Sequence, residues 1–165
     1  MVPYFFKHHF NISCVQAINI IIYYVIIAYF ITFYRGVTVF KKITHITVFV
    51  SNQDEALNFY KKLGFVVHTD ANFGPMRWLT LNLEDQKDME LVLLKAEDEQ
   101  EKALVGKQAG EKPLFNLETS DCFADYEKLN KLGINFIEKP AEQPWGVSAA
   151  FKDLDGNLIY MCQPR

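Results

Sequence analysis

Residues 43–65 read ITHITVFVSNQDEALNFYKKLGF, and residues 114–134 read LFNLETSDCFADYEKLNKLGI. Aligned at an offset of 69 positions, the two stretches share a serine, a lysine and a Leu-Gly pair. Asn52 falls on Asp121, and both residue types cap helices. Each copy reads as an alternating strand, an amphipathic helix and a glycine stop. The repeat predicts two similar modules that face each other, with a cup where their sheets meet.

The first strand of the repeat has two chemically different faces. Its apolar positions alternate with a second set of side chains, which are His45, Thr47 and Phe49. The helix that follows has an apolar stripe formed by Ala56, Phe59, Tyr60 and Leu63. Because that stripe needs a sheet face to cover, we expect His45 to lie on the opposite face, toward the cup.

Each module continues into three further strands, so each reads βαβββ. In the second module the expected helix stripe is Phe123, Tyr126, Leu129 and Leu132, and residues 139–146, with Pro140 and Pro144, read as a loop. The predicted fold is therefore α+β: two tandem βαβββ modules forming a half-open, eight-stranded mixed barrel or cup, preceded by an apolar N-terminal helix. The predicted boundaries are module one at 43–95, a charged linker at 96–112 and module two at 113–164.

Charge and cysteine content exclude some classes of protein. Residues 1–36 carry Lys7 and Arg35 and no acid, whereas the remainder carries 15 basic and 20 acidic side chains. A mildly acidic domain without basic clusters argues against a nucleic acid partner. Cys14, Cys122 and Cys162 form no CxxC motif, so a zinc finger or a disulfide framework is not indicated. We expect Cys122 and Cys162 to be small buried apolar residues.

Residues 10–34 contain no charged side chain, and 20 of these 25 residues are apolar or tyrosine. This is long enough for a transmembrane helix, which needs about 20 mostly apolar residues. Arg35, Lys41 and Lys42 flank its far end, so the domain would lie in the cytoplasm, anchored to the inner face of the membrane. The alternative is that residues 1–36 are a leader absent from the native protein, with translation starting near Val37 or Val39.

Four motifs carry a resemblance that covers about three quarters of the chain: ALNFYKKLGF, YEKLNKLGI, PWGVSAAFKDLDGNLIY and the terminal QP. With the βαβββ repeat, they resemble the vicinal oxygen chelate superfamily, which includes glyoxalase I, bleomycin-resistance proteins and extradiol dioxygenases. The resemblance implies a small-molecule site in the cup and a homodimer. In its enzymes, four side chains from four strands hold one divalent metal ion.

Only part of that ligand set is present in this chain. His45 and Glu90 match the two metal ligands of module one. The matching positions of module two are Leu114, which cannot coordinate a metal, and Tyr160, whose unperturbed pKa near 10 makes it a poor ligand. Asn116 lies two residues along the face of Leu114 and can offer an amide oxygen. We therefore expect a cup without a complete metal site, with divalent metal as the alternative.

Glu90 is the candidate catalytic residue. It stands among apolar residues on a strand whose other face is core, so its carboxylate needs a partner, for which His45 and Arg77 are the candidates. Such a pair is also how a general acid or base is built. The remaining expected ligand-binding residues are mostly aromatic or polar: Phe49, Arg77, Trp78, Asn116, Trp145 and Tyr160.

Three functions follow from these features. The first is a metal-free protein that binds a small, partly aromatic molecule in its cup. The second is an enzyme, a metal-dependent lyase or dioxygenase of the vicinal oxygen chelate type that uses His45 and Glu90. The third is a membrane-anchored accessory domain, which requires that residues 10–34 be made and inserted.

Overall fold

The computed structural model describes residues 20–28 and 39–165, and residues 20–28 are helical. Most of the apolar stretch at 10–34, and with it the choice between a membrane anchor and a leader, lies outside the described residues. Within the described residues, no helix has the length and apolar character needed to cross a membrane. Residues 43–165 form a compact unit of their own, and the rest of this section concerns that unit.

Eight strands and three helices make up residues 43–165. In chain order they are β1 (His45–Val50), α1 (Gln53–Lys62), β2 (Val66–Phe73), β3 (Met76–Leu83), β4 (Gln86–Lys95), α2 (Glu99–Leu104), β5 (Phe115–Glu118), α3 (Cys122–Lys131), β6 (Phe136–Gln143), β7 (Gly146–Lys152) and β8 (Leu158–Pro164).

The strands form two four-stranded sheets of the same topology. Sheet one has the order β1-β4-β3-β2 and sheet two the order β5-β8-β7-β6. In each sheet the first strand of the module pairs in parallel with the last strand, and the other pairs are antiparallel. The predicted α+β fold of two βαβββ modules in a cup-like arrangement is confirmed.

The two long helices begin and end as the repeat predicts. The side chain of Asn52 accepts hydrogen bonds from two backbone N–H groups of the first turn of α1, and Asp121 accepts one from Ala124 of α3. Gly64 and Gly133 follow these helices with φ angles of 95° and 82°, a conformation that favours glycine and stops the helix.

The predicted helix stripe is right for α1 and partly wrong for α3. Ala56, Phe59 and Tyr60 are buried. In α3, however, Phe123 and Leu132 are exposed, at 52% and 46%. The buried residue of α3 is Cys122. Tyr126 and Leu129, four and seven residues further along the helix, pack beside it against the core. Tyr126 and Leu129 are therefore predicted correctly, Cys122 takes the place of Phe123, and Cys122 is confirmed as a small apolar core residue.

A single hydrophobic core joins the helix-bearing sides of the two modules. Module one contributes the apolar positions of β1, α1, β3 and β4, and module two contributes α3, β7 and β8. Val48 and Val50 of β1 are in this core, whereas His45 and Thr47 are exposed. Because strand side chains alternate, each sheet turns its more polar face away from the shared core.

The loop expected at residues 139–146 is instead largely strand, because β6 continues to Gln143. β6 is the edge strand of sheet two, and its pairing with β7 is irregular between Glu138 and Ala141. Pro140 falls in this irregularity. A proline is tolerated there because its missing N–H group interrupts no regular ladder.

The linker between the modules covers the free edge of β1. The Gln108 side chain accepts a hydrogen bond from the backbone N–H of Phe49 and donates one to the carbonyl of Thr47, as a neighbouring strand would. Gly106 lies so close to the β7–β8 turn that an added Cβ would stand 2.0 Å from the carbonyl oxygen of Asp155. The linker therefore ties module one to a turn of module two.

The same turn receives a direct bond from module one. Asp153 is buried, and its Oδ1 accepts hydrogen bonds from the backbone N–H groups of Asp155, Gly156 and Asn157. Its Oδ2 accepts the hydroxyl of Tyr60 in α1 at 2.9 Å and the side-chain amide of Asn157 at 2.8 Å. Burial, followed by the charge and hydrogen bond of Asp153, raises the pKa of Tyr60 well above its usual value.

We expect Tyr60→Phe to lower the free energy of unfolding by about 1.5–3 kcal/mol, since a hydrogen bond to a charged group is lost. Tyr126→Phe is the matched control, because the Tyr126 ring is also partly buried but no hydrogen bond is shown for its hydroxyl. Because the pKa of Tyr60 is raised in the folded state, its contribution is complete below about pH 10 and is lost as pH rises further. Urea unfolding at neutral and alkaline pH measures both effects, and equal losses in the two variants would contradict the assignment.

Candidate functional site

His45 and Glu90 lie side by side on adjacent parallel strands. They are register partners in the pairing of β1 with β4, and His45 Nε2 is 3.8 Å from Glu90 Oε2. The His45 side chain is 43% exposed, whereas that of Glu90 is only 16% exposed. The structure thus brings together the two residues that match the module-one metal ligands, and it supplies one of the expected partners of Glu90.

A second histidine, absent from the expected site, approaches the same carboxylate more closely. His68 Nδ1 is 3.1 Å from Glu90 Oε2. His68 occupies an irregularity in β2, where the register with β3 shifts between Val67 and Thr69. A bulge of this kind re-aims a side chain. Here it turns His68 toward Glu90, across the intervening strand β3.

These three residues share one face of sheet one with Trp78 and Thr80, and we call this surface the His45 face. The Trp78 ring is half-buried, and its centroid is 6.0 Å from that of the His45 imidazole. Thr80 is fully buried, and its Oγ1 has no hydrogen-bond partner. Phe49, also on this face by alternation, is partly buried.

Arg77, the other expected partner of Glu90, lies on the opposite face of β3. Its guanidinium bonds Asp70 through Nε and Nη2 at 2.8 Å each, and Asp54 of α1 through Nη1 at 2.7 Å. The hydrogen bond from Arg77 is the largest cause that lowers the pKa of Asp70. Arg77 therefore holds β2 and β3 to α1, and we leave it out of the ligand-binding set proposed below.

In sheet two the parallel pairing of the first and last strands brings Asn116 next to Tyr160, although the position that matches His45 is Leu114. These two are register partners across the parallel strands β5 and β8. Asn116 is exposed and Tyr160 partly buried, whereas Leu114 packs against the shared core. Trp145 precedes β7 and is 49% exposed. The ligand-binding roles of Asn116, Trp145 and Tyr160 stay predictions.

The side chains present do not fit the four-ligand metal set that the family resemblance implies. Two of its four positions hold Leu114, which is partly buried in the core, and Tyr160. Among residues 20–28 and 39–165, no group of three or more His, Cys, Asp or Glu side chains is placed to hold a metal ion. The carboxylate of Glu90 is instead approached by His68, which belongs to no position of that ligand set.

Comparison with known proteins gives a family-level match. The model of the Glyoxalase/Bleomycin resistance protein/Dioxygenase superfamily matches residues 42–161. An uncharacterised protein of Shewanella frigidimarina is 34% identical over 126 residues, which are 74% of this chain and 93% of the relative. The uncharacterised protein YurT of Bacillus subtilis is 35% identical, over 74% of this chain and 98% of YurT.

Solved structures show the same fold. The crystal structure of UcmS2 has a TM-score of 0.67 and 32% sequence identity, and covers 74% of this chain and 98% of its own. The structure of TnmS3, described as an antibiotic binding protein from Streptomyces sp. CB03234, has a TM-score of 0.64 and 29% identity, with coverages of 77% and 98%.

We expect Arg77→Gln to raise the pKa of Asp70 toward its usual value, because the hydrogen bonds that favour the carboxylate are lost. Since the folded-state pKa of Asp70 is lowered, its contribution to stability is present above pH 4 or so and is lost as pH falls. As the pH falls, the free energy of unfolding of Arg77→Gln should therefore decrease less than that of the wild type. A carbon-detected NMR titration of the side-chain carboxyl groups measures the pKa, with Lys62→Gln, at an exposed end of α1, as the control. An unchanged Asp70 titration in Arg77→Gln would contradict the pairing.

Proposed function

The chain belongs to the glyoxalase/bleomycin resistance protein/dioxygenase superfamily, as its resemblance predicted, and we propose that it binds a small, partly aromatic molecule without a complete metal site. The observation that carries this proposal is the His45 face, where an aromatic ring adjoins a few polar groups outside the shared core. Apolar walls with a small number of placed polar groups are the usual composition of small-molecule sites.

The antibiotic-binding description of TnmS3 supports the same proposal, because TnmS3 shares the fold at 29% identity. In this chain the Trp78 ring supplies the flat apolar surface, and Phe49, on the same face by alternation, extends it. Aromatic rings prefer offset or edge contacts with other rings, and such contacts stabilise by roughly 0.5–1.5 kcal/mol beyond the burial of their area. A planar ligand is therefore the chemistry that this face suits.

We further propose that a second copy of the chain completes the site, as the resemblance implies for a homodimer. The His45 face and the Asn116–Tyr160 face both lie on the sides of their sheets away from the shared core. Each face is therefore left for another molecule to cover. In such a dimer, Asn116, Trp145 and Tyr160 of one copy would line the site opposite the His45 face of the other copy.

Planar polycyclic compounds test ligand binding directly. The full chain contains two tryptophans, so quenching of intrinsic fluorescence by anthracene derivatives reports on Trp78 and Trp145. We expect saturable quenching, and we expect Trp78→Leu to weaken binding by roughly tenfold because the aromatic contact is lost. Phe123→Leu removes an exposed ring of α3 and should leave binding unchanged. Binding that is insensitive to Trp78, or absent for every neutral, cationic and anionic derivative, would reject the proposal.

The metal-dependent enzyme is the second candidate, and the adjacency of His45 and Glu90 favours it. Metal analysis of the untagged full chain separates the two. We expect less than one equivalent of nickel, zinc, iron or manganese per chain, since a stable transition-metal site needs more protein ligands than this pair provides. One equivalent that is lost in both His45→Ala and Glu90→Gln, but retained in Glu84→Gln, would establish the metal-dependent alternative instead.

A further inference from the structure

Glu90 is a partly buried carboxylate that forms no ion pair with a lysine or arginine among the described residues. Its side chain is 16% exposed, and the imidazoles of His68 and His45 lie 3.1 Å and 3.8 Å from its Oε2. Histidine, unlike lysine or arginine, carries no fixed charge near neutral pH. Neither Lys nor Arg occurs in the strand segments that carry this face, residues 45–49, 78–82 and 90–94.

The chain has an arginine near this position, but it points the other way. Arg77 immediately precedes Trp78, and its guanidinium is used on the opposite face by Asp54 and Asp70. A carboxylate that loses solvent without gaining an opposite charge destabilises the folded protein. Groups kept in that condition are concentrated at binding and catalytic sites.

A second polar group on the same face also lacks a partner. Thr80 Oγ1 is fully buried and forms no hydrogen bond, whereas nearly all buried polar side chains in proteins form at least one. Thr80 lies on β3, between Glu90 on β4 and His68 on β2 in the order of the sheet. The face thus combines two acceptors, the partly exposed carboxylate of Glu90 and, below the surface, the Thr80 hydroxyl, which has no donor among the described residues.

Trp78 is next to these acceptors, since its ring is 6.0 Å from the His45 imidazole, which in turn contacts Glu90. The face of an indole ring attracts cations as well as other rings. A protonated primary amine has three N–H donors and a positive charge, and it accepts no hydrogen bond. An aromatic compound that carries an ammonium group therefore matches this surface better than a neutral or anionic analogue does.

We propose that the molecule bound at the His45 face is an aromatic amine in its protonated form, with its ammonium group paired to Glu90 and its rings against Trp78. This inference rests on the proposed function and specifies the chemical class of its ligand. Glu90 is then the residue that determines specificity.

Three anthracene derivatives of nearly equal shape test the charge preference on the full chain. They carry an aminomethyl, a hydroxymethyl or a carboxylate group at the same ring carbon, and fluorescence anisotropy of the anthracene measures their affinities near neutral pH. We expect the amine to bind the wild type at least about tenfold more tightly than the alcohol, with the carboxylate weakest, as charge-assisted hydrogen bonds are the stronger ones. The preference for the amine should decrease at high salt.

Glu90→Gln should reduce the ratio between amine and alcohol affinity to about one while the alcohol still binds, because only the charge has been removed. Glu84→Gln makes the same chemical change at an exposed turn residue and should keep the wild-type ratio. The amine-to-alcohol ratio of the wild type stands as a test even if the Glu90 variant fails to fold. Equal or tighter binding of the alcohol or the carboxylate would overturn the charge preference while leaving the binding function intact. Failure of all three probes would overturn both.

Discussion

The carboxylate of Asp153 is the point on which the arrangement of the two modules depends. One of its oxygens organises the turn between β7 and β8, and the other receives the Tyr60 hydroxyl from α1. A buried carboxylate is tolerated only when it is fully hydrogen-bonded, and here both oxygens are used. The turn between β7 and β8 therefore also joins module two to module one, next to the core that the helix-bearing sides of both sheets share.

That shared core determines where chemistry can occur. The apolar side chains of both sheets pack into the core between the modules. Because side chains alternate along a strand, the more polar side chains lie on the faces that point away from this core. His45 and Glu90 become neighbours through the parallel pairing of β1 with β4, and the same pairing of β5 with β8 brings Asn116 to Tyr160. Each sheet thus carries a register pair on its two parallel strands, an imidazole and a carboxylate in sheet one and an amide and a phenol in sheet two.

The sequence predicts the parts of this arrangement that depend on periodicity. The offset of 69 residues locates both helices, the caps at Asn52 and Asp121, and the face of β1 that carries His45. It does not predict His68, because a bulge inserts a residue and breaks the alternation that assigns faces. Likewise, Pro140 reads as a loop residue until the strand order shows that β6 is an edge strand. The alternation along β3 does predict the face on which Arg77 lies. Arg77 is two residues from the buried Leu79 and shares its face, whereas Trp78 lies on the other face.

The bulge at His68 gives the Glu90 carboxylate a neighbour that the ligand set of the family does not include. In a metal-bound site, the ion would hold the ligating carboxylate in one orientation. Here both imidazoles approach the same oxygen of Glu90, Oε2, with His68 at 3.1 Å and His45 at 3.8 Å. The two module-two positions of the ligand set that the resemblance implies hold Leu114, which packs against the shared core, and Tyr160, which is partly buried. Away from the shared core, sheet one therefore carries a carboxylate, two imidazoles and the Trp78 ring, whereas sheet two carries the Asn116 amide and the Tyr160 phenol.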